Sequence, residues 1–187
     1  MSNCKENPLT QKFYGLLLCL LFVSAAQVWA TVLPDSCGDD KVKFDVTKQK
    51  GGPAPSAPEP GNAQIFFIEA MDKTALCFGC DVTSRIGIDG AWVGANHGNS
   101  YFAVSVPPGE HHLCVDWQSD FGFLKSKVGL TSFTAEPGKD YYYEVQVEVK
   151  RISDDYTERS LHLAAVSKDE GKWRIKASQV SVSKPSH

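Results

Sequence analysis

Apolar and polar residues alternate along much of the chain after residue 40. The clearest stretch is residues 141–150, YYYEVQVEVK, in which Tyr143, Val145 and Val147 alternate with glutamate and glutamine. A period of two places one set of side chains on a buried face and the other on a wetter face. Further strands are predicted at residues 41–48, 86–88, 91–93, 101–106, 111–117, 129–135 and 159–166. Residues 63–70 are predicted to be a buried strand because the apolar run over residues 65–68 is continuous.

Turn residues separate these strands, and two of the connections have specific signatures. Asp89-Gly90 lies between two apolar runs and predicts a hairpin with a type I′ turn, because both central positions need a positive φ. Residues 101–106 and 111–117 are predicted to form a second hairpin across Pro107-Pro108-Gly109-Glu110. In a type II turn Pro108 would set φ at the second position and Gly109 would supply the positive φ at the third.

No stretch after residue 30 has sustained helical periodicity. Many short strands with Gly and Pro turns are typical of an antiparallel sandwich or barrel, and we favour an all-β antiparallel β-sandwich. The one ambiguous segment is residues 167–176, where Asp169 and Glu170 could open a short helix.

The N-terminus has the pattern of a signal peptide. Lys5 and Lys12 precede an apolar run over residues 13–23, and a small-residue motif ends at Ala30. We predict that residues 1–30 are a signal peptide cleaved near Ala30 and that the protein is secreted or periplasmic. Because a membrane-spanning helix needs about 20 apolar residues, we expect no membrane span in the mature form. The alternative is an uncleaved N-terminal anchor.

Composition divides the remaining chain further. Residues 31–49 form an N-terminal segment with a short strand, and residues 50–62 form a Pro/Gly-rich linker of the polyproline type. Residues 63–178 are predicted to be the sandwich domain, and residues 179–187 a polar tail. The chain has 19 Lys and Arg against 22 Asp and Glu, with no basic stripe, so we expect no nucleic-acid partner.

Four cysteines follow the predicted cleavage site, an even number in an oxidising compartment, so disulfides are expected. Four cysteines allow three pairings, and we favour Cys37–Cys114 together with Cys77–Cys80. Cys77 and Cys80 also form a C-x2-C motif that suggests a thiol-redox pair, or a zinc site with Cys114 and His112 or His97. The motif lies in a loop between strands and lacks a second metal-binding pair, so a structural disulfide is favoured and no metal or cofactor is predicted.

The sequence indicates a binding protein rather than an enzyme. It contains no G-x-S-x-G elbow, and no pair of carboxylates can be placed together from sequence alone. Aromatic side chains could stack on a sugar or a peptide, although aromatics are also common in the core of strands. The candidate binding residues are Trp92, Asn96, Tyr101 and Trp117.

Two segments, IGIDGAWVGANHGNSYFAVSVPPGEHH and TAEPGKDYYYEVQV, resemble a family of uncharacterised secreted or lipid-anchored bacterial β-domains. The resemblance covers roughly residues 63–166 and rests mostly on turn residues. It implies an Ig-like or PEGA-like sandwich and no established activity. Our hypothesis is therefore a non-enzymatic envelope module that binds a protein or a cell-surface polysaccharide. The alternative is a periplasmic thiol-redox or metal-handling protein that uses Cys77 and Cys80.

Overall fold

Most of the described chain is β-strand, as the alternation predicts. The computed structural model describes residues 34–51, 55–70, 82–118, 126–153 and 157–186. The strands are β1 Lys43–Gln49, β2 Ala63–Glu69, β3 Thr83–Ile88, β4 Ala91–His97, β5 Ser100–Val106, β6 Gly109–Trp117, β7 Ser126–Lys127, β8 Gly129–Ala135, β9 Asp140–Arg151, β10 Thr157–Ala165 and β11 Gln179–Ser186. One helix, α1, spans Lys168–Ala177 between β10 and β11.

The strands form two sheets that face each other. The larger sheet has the order β1-β11-β5-β2-β9-β10-β7, and the smaller sheet has the order β4-β3-β6-β8. Neighbouring strands are antiparallel except in three pairs of the larger sheet, β2 with β9, β5 with β11 and β7 with β10. The predicted all-β sandwich is therefore confirmed, with a mixed larger sheet.

The core lies between the sheets and consists mainly of aliphatic and aromatic side chains. Phe67 on β2 stacks near Phe102 and Tyr143 of the neighbouring strands, with ring centroids 5.4 and 6.3 Å away. Burying a side chain of this size stabilises the fold by about 1.5–3 kcal/mol. The fully buried core residues include Ile65, Phe67, Ile86, Leu113, Val115 and Leu161.

The predicted Asp-Gly hairpin is confirmed. Asp89 and Gly90 have φ values of 50° and 85°, and Ile88 pairs with Ala91 across the turn. Both residues are therefore in the left-handed region that a type I′ turn requires.

The predicted second hairpin is wrong, because β5 and β6 belong to different sheets. β5 pairs with β2 and β11, and β6 pairs with β3 and β8. Pro107 and Pro108 carry the chain from one sheet to the other, and Gly109, with φ of 138°, already begins β6. Phe102 and Leu113 then face the same core from opposite sides. The alternation had predicted the strands correctly, but their partners depend on tertiary packing.

The predicted polar tail is also wrong, because residues 179–186 form β11. This strand pairs with β1 along seven residues, from Gln49 opposite Val180 to Lys43 opposite Ser186. Ser181 Oγ donates to Ala95 O at 2.7 Å, and Ser183 Oγ accepts from Ala95 N at 3.2 Å. The polar character of β11 therefore reflects serines that bond the edge of β4, not exposure of the segment.

The described part of the Pro/Gly-rich linker lies against the larger sheet. Gln64 Nε2 donates to Ser56 O at 2.7 Å, and the hydroxyl of Ser105 accepts from Glu59 N at 3.3 Å and from Asn62 Nδ2 at 3.2 Å. Residues 55–62 thus run beside β2 and β5, and β1, which precedes the linker, is held at the sheet edge by β11.

The segment that the sequence left ambiguous forms the short helix α1. Ser167 caps its N-terminus by accepting from Glu170 N at 3.2 Å, and Asp169 and Glu170 lie in the first turn, where acidic residues are favoured. Arg174 binds Glu144 on β9, and Gly171 packs so closely on Tyr142 that a Cβ there would lie 2.4 Å from the ring. A side chain at residue 171 would push α1 off the sheet.

Several predictions fall outside the described residues. The signal peptide, its cleavage site and the alternative anchor concern residues 1–30, and Cys77 and Cys80 lie in residues 71–81. In the described part of the chain, no helix has the length and apolar character needed to cross a membrane.

Candidate functional site

The predicted disulfide between Cys37 and Cys114 is present. The two Cα atoms are 5.2 Å apart, and both side chains are buried. The bond joins the segment before β1 to the middle of β6. Because Cys114 forms this disulfide, it is not a thiol ligand for the zinc site that the sequence suggested. His112, the other suggested ligand on β6, is exposed. Among the residues that the structure describes, no group of three or more His, Cys, Asp or Glu side chains could hold a metal ion.

Trp92 holds the same N-terminal segment in place. Its Nε1 donates to Asp39 O at 2.8 Å, and the ring lies so close to Gly38 that a Cβ there would be 2.3 Å from it. The guanidinium of Arg85 lies 4.4 Å from the ring centroid and pairs with Asp116 at 2.7 Å. Trp92 is therefore half-buried, and its ring packs against the N-terminal segment and Arg85.

The other three predicted binding residues are buried. Asn96 is 0% exposed, donates from Nδ2 to Phe67 O at 3.1 Å and accepts from Ser100 Oγ at 3.3 Å. Tyr101 packs in a cluster on the outer side of the larger sheet, and Trp117 belongs to the core between the sheets. The structure therefore does not bring the four candidate binding residues together on an exposed surface, because three of them occupy packing positions in the fold.

Sequence reasoning missed a buried carboxyl group at one end of the sandwich. Glu69, the last residue of β2, is 0% exposed, and its Oε1 accepts from Gly98 N at 2.9 Å. Burial raises the pKa of Glu69 to about 8, while the nearby hydroxyl of Ser84, the N–H of Gly98 and the charge of Lys48 act in the opposite direction. The group is therefore mostly protonated at neutral pH. The sequence signal for a buried carboxyl group was that Glu69 directly follows the apolar run IFFI of residues 65–68.

A groove beside β5, in the described part of the chain, is open to a ligand. β11 pairs with β5 at only two residues, Gln179 opposite Ser100 and Val180 opposite Tyr101, and then leaves it to pair with β1. β5 continues to Val106 and stays paired with β2 on its other side. The space between the diverging strands is a groove of about 370 Å³, which we call the β5 groove; its walls include Ala57, Glu59, Ala103, Ser105, Val180 and Ser181.

Backbone polar groups of β5 point into this groove. Gln64, opposite Ser105, donates its backbone N–H to Lys139 O at 2.9 Å, on the side of β2 away from β5. Gln64 and Ser105 are therefore a non-hydrogen-bonded pair, so the N–H and C=O of Ser105 point away from β2. Because alternate residues of a strand point the same way, the N–H and C=O of Ala103 also face the groove.

The side chains of the groove suit an extended chain better than a rigid planar ligand. Alanine and serine leave room next to the β5 backbone, and Val180 and Pro55 provide limited apolar surface. Ligand sites in proteins typically enclose about 300–1,000 Å³, so the groove is of suitable size for a short peptide segment. Among the lining residues that the structure describes, Glu59 is the one charged side chain, and it would favour a basic group on the ligand.

No family model matches the sequence, and no curated protein matches it. The resemblance to uncharacterised bacterial β-domains therefore stays a prediction.

Proposed function

We propose that the protein is a secreted or periplasmic, non-enzymatic module that binds an extended segment of a partner protein as an added strand beside β5. The observation that carries this proposal is the early departure of β11 from β5, which leaves the backbone of Ala103 and Ser105 directed into a groove. In strand addition, hydrogen bonds to such an edge give affinity, and pockets for alternate side chains give selectivity.

The walls of the groove favour a peptide over a polysaccharide. Among the described residues that line the groove, none offers the exposed aromatic ring on which sugars stack, since Phe102 is largely buried in the core. Residues 55–62 form the second wall through their bonds to Ser105 and Gln64. An added strand would lie between this wall and β11, parallel or antiparallel to β5.

The test uses a variant that fills the groove and a matched variant that does not. Ala103→Arg places a long side chain in the groove, whereas Ala165→Arg makes the same change at an exposed position of β10 in the same sheet. Peptides selected from a random displayed library on the purified mature protein should bind the wild type and Ala165→Arg. We expect Ala103→Arg to weaken their binding at least about tenfold.

Hydrogen exchange locates the bound peptide independently of the variants. A selected peptide should slow exchange at the amides of Ala103 and Ser105 and leave the β4 amides unchanged. Failure to select any peptide, or protection confined to another edge, would contradict the proposal. Binding of soluble cell-wall glycan that Ala103→Arg abolishes would replace the peptide with a polysaccharide as the ligand.

A further inference from the structure

Arg85 uses every hydrogen-bond donor of its side chain, and three of these donors hold the segment that carries Cys37. Its Nη1 donates to Asp40 O at 2.9 Å and to Val42 O at 2.7 Å, and its Nη2 donates to Asp40 Oδ1 at 3.1 Å. Nε and Nη2 also donate to Asp116 Oδ2, at 3.1 and 2.7 Å. Because the five donors of a guanidinium lie in one rigid plane, they fix the position of the segment as well as its attachment.

Trp92 adds a further contact to the same segment. Its Nε1 donates to Asp39 O at 2.8 Å, and its ring centroid lies 4.4 Å from the Arg85 guanidinium. Arg85 and Asp116 pair across β3 and β6 on the face of the smaller sheet that points away from the core. We call Arg85, Trp92 and Asp116 the Arg85 site. It binds the segment mainly through main-chain carbonyl groups and lies on the opposite sheet from the β5 groove, so it is independent of the proposed function.

The same face leaves room for Cys37 beside Cys114. Cys114 lies opposite Gly87, two residues along the strands from the pair of Arg85 and Asp116. A Cβ on Gly87 would lie only 3.3 Å from Cys37 Cα, so a side chain there would push Cys37 away. With the segment docked, the Cα atoms of Cys37 and Cys114 are 5.2 Å apart.

Sequence separation alone favours other partners for Cys37. Cys77 and Cys80 are both nearer to Cys37 along the chain than Cys114 is. The entropy cost of closing a loop grows with loop length, so an unfolded chain brings Cys37 to Cys77 or Cys80 more readily. The observed bond to Cys114 therefore requires an interaction that carries Cys37 to β6.

We propose that the Arg85 site docks residues 34–42 before the cysteines are oxidised and thereby selects Cys114 as the partner of Cys37. Asp39 lies two residues after Cys37, and two residues of chain span at most about 7 Å. Once Asp39 is held by Trp92, the Cys37 thiol is confined near Cys114, which raises its effective concentration there. The disulfide then fixes a segment that non-covalent contacts have already placed.

The bond forms by two thiol–disulfide exchanges with a small disulfide such as oxidised glutathione. The Cys37 thiolate attacks one glutathione sulfur and displaces a glutathione thiolate. The Cys114 thiolate then attacks the Cys37 sulfur of this mixed disulfide and displaces the second glutathione thiolate. Two cysteine thiols are thereby oxidised, one glutathione disulfide is reduced, and the two released thiolates take up the two protons.

Hydrogen exchange shows whether the segment docks without the bond. In the double variant Cys37→Ser and Cys114→Ser, slow exchange of the β9 amides identifies the folded protein. The indole N–H of Trp92 should then exchange at least about tenfold more slowly than that of Trp173, because Asp39 O still accepts from it. Trp173 is 66% exposed and provides the unprotected reference. Equal exchange of the two indole groups in the folded variant would show that docking requires the disulfide and would overturn the proposal.

A protein with three cysteines measures the selection itself. Cys80→Ser removes the local pairing of Cys77 with Cys80 and leaves Cys37 to choose between Cys77 and Cys114. We define the pairing ratio as the amount of Cys37–Cys114 divided by the amount of Cys37–Cys77, measured by peptide mapping after the reduced, unfolded protein is oxidised in glutathione buffer. We expect Cys37–Cys114 to predominate, and a predominance of Cys37–Cys77 would contradict the proposal.

Two pairs of substitutions in the Cys80→Ser protein attribute the selection to the Arg85 site. Arg85→Gln with Asp116→Asn removes the site without leaving a buried carboxylate unpaired, and it should lower the pairing ratio at least about tenfold. Arg174→Gln with Glu144→Gln removes the ion pair between α1 and β9 and should leave the ratio unchanged. An equal fall in both proteins would show that general stability decides the pairing, and an unchanged ratio in both would show that the Arg85 site does not select the partner. Either result overturns the proposal.

Discussion

Asp89 and His111 form a hydrogen bond of 2.6 Å between Oδ2 and Nδ1. Asp89 lies in the β3–β4 turn and His111 near the start of β6, so the bond ties the turn to the neighbouring strand. The other ring nitrogen, Nε2, lies 2.8 Å from Pro107 O. Both partners are acceptors, so the ring satisfies both only when both nitrogens carry a proton.

We expect the contribution of His111 to stability to decline at high pH. Burial lowers the pKa of His111, but the hydrogen bonds to Pro107 and Asp89 and the charge of Asp89 outweigh it and raise the pKa above its usual 6.5. The stabilisation is therefore complete below the unfolded-state pKa and is lost as pH rises through the folded-state pKa. His111→Gln should lower the free energy of unfolding by about 1–3 kcal/mol at pH 6 and by less at pH 9, in urea titrations.

His162→Gln is the control for this experiment. His162 is exposed on β10, and its Nε2 lies 3.1 Å from Glu148 Oε2 at the surface. Its replacement should change stability little at either pH. An equal loss for His111→Gln at pH 6 and pH 9 would show that the ring acts through packing alone.

Glu69 gives a second pH dependence. Burial raises its pKa from 4.5 to about 8, so between these values the folded state holds a proton that the unfolded state has lost. Stability therefore falls as pH rises through this window, by up to about 1.4 kcal/mol per pH unit from this group. Glu69→Gln stays neutral and keeps an acceptor for Gly98 N–H, so we expect it to flatten the slope and to exceed the wild type in stability at pH 8.

The matched control is Glu110→Gln, since Glu110 is exposed on β6. Urea titrations at about pH 5, 6, 7 and 8 should give this variant the same slope as the wild type. If Glu69→Gln keeps the wild-type slope as well, the Glu69 carboxyl group does not titrate in this window.

The Cys37–Cys114 bond should make a large contribution to stability. It spans 77 residues of sequence, and closing a loop of that length in the unfolded chain corresponds to about 4.5 kcal/mol. The double variant Cys37→Ser and Cys114→Ser should lose about 2–5 kcal/mol in denaturant titrations. Non-reducing peptide mapping of the wild type should recover the Cys37–Cys114 peptide, and a Cys37–Cys77 peptide would contradict the observed pairing.

We expect Trp92 to stabilise the fold. Trp92→Phe keeps an aromatic ring beneath Arg85 but removes the Nε1 bond to Asp39 O, so the free energy of unfolding should fall by about 1 kcal/mol. Trp173→Phe is the control, because Trp173 is 66% exposed on α1. A Trp92→Phe protein as stable as the wild type would show that the bond to Asp39 is dispensable.

The sequence predicted elements whose identity depends on local chemistry. Asp89-Gly90 specifies its turn through backbone conformation, and the alternation in β9 specifies a strand with two different faces. The sequence-based prediction failed where the structure of a segment depends on the strand with which it pairs. The Pro107-Pro108 connection is compatible with a hairpin and with a crossing between sheets, and β11 becomes a strand because β1 and β4 accept it.

The functional regions were harder to predict than the fold. Tyr101 and Trp117 have the composition of a binding surface, but both are packed in hydrophobic clusters, and sequence alone does not separate the two roles. The β5 groove arises because β11 leaves β5 after Val180, a change of direction that the alternation does not encode. Glu69 follows an apolar run, yet only the neighbouring sheet determines that it is enclosed.

The pairing of β1 with β11 also determines how the molecule responds to tension. Lys43 lies beside Ser186 at one end of this pair of strands. A force that pulls Ser186 away from Lys43 therefore opens the hydrogen bonds between the strands one after another, starting at that end. A pull arriving from the N-terminal side meets the Cys37–Cys114 link first and passes into β6 through a covalent bond. The C-terminal strand should consequently peel away at low load, while the smaller sheet bears the strain.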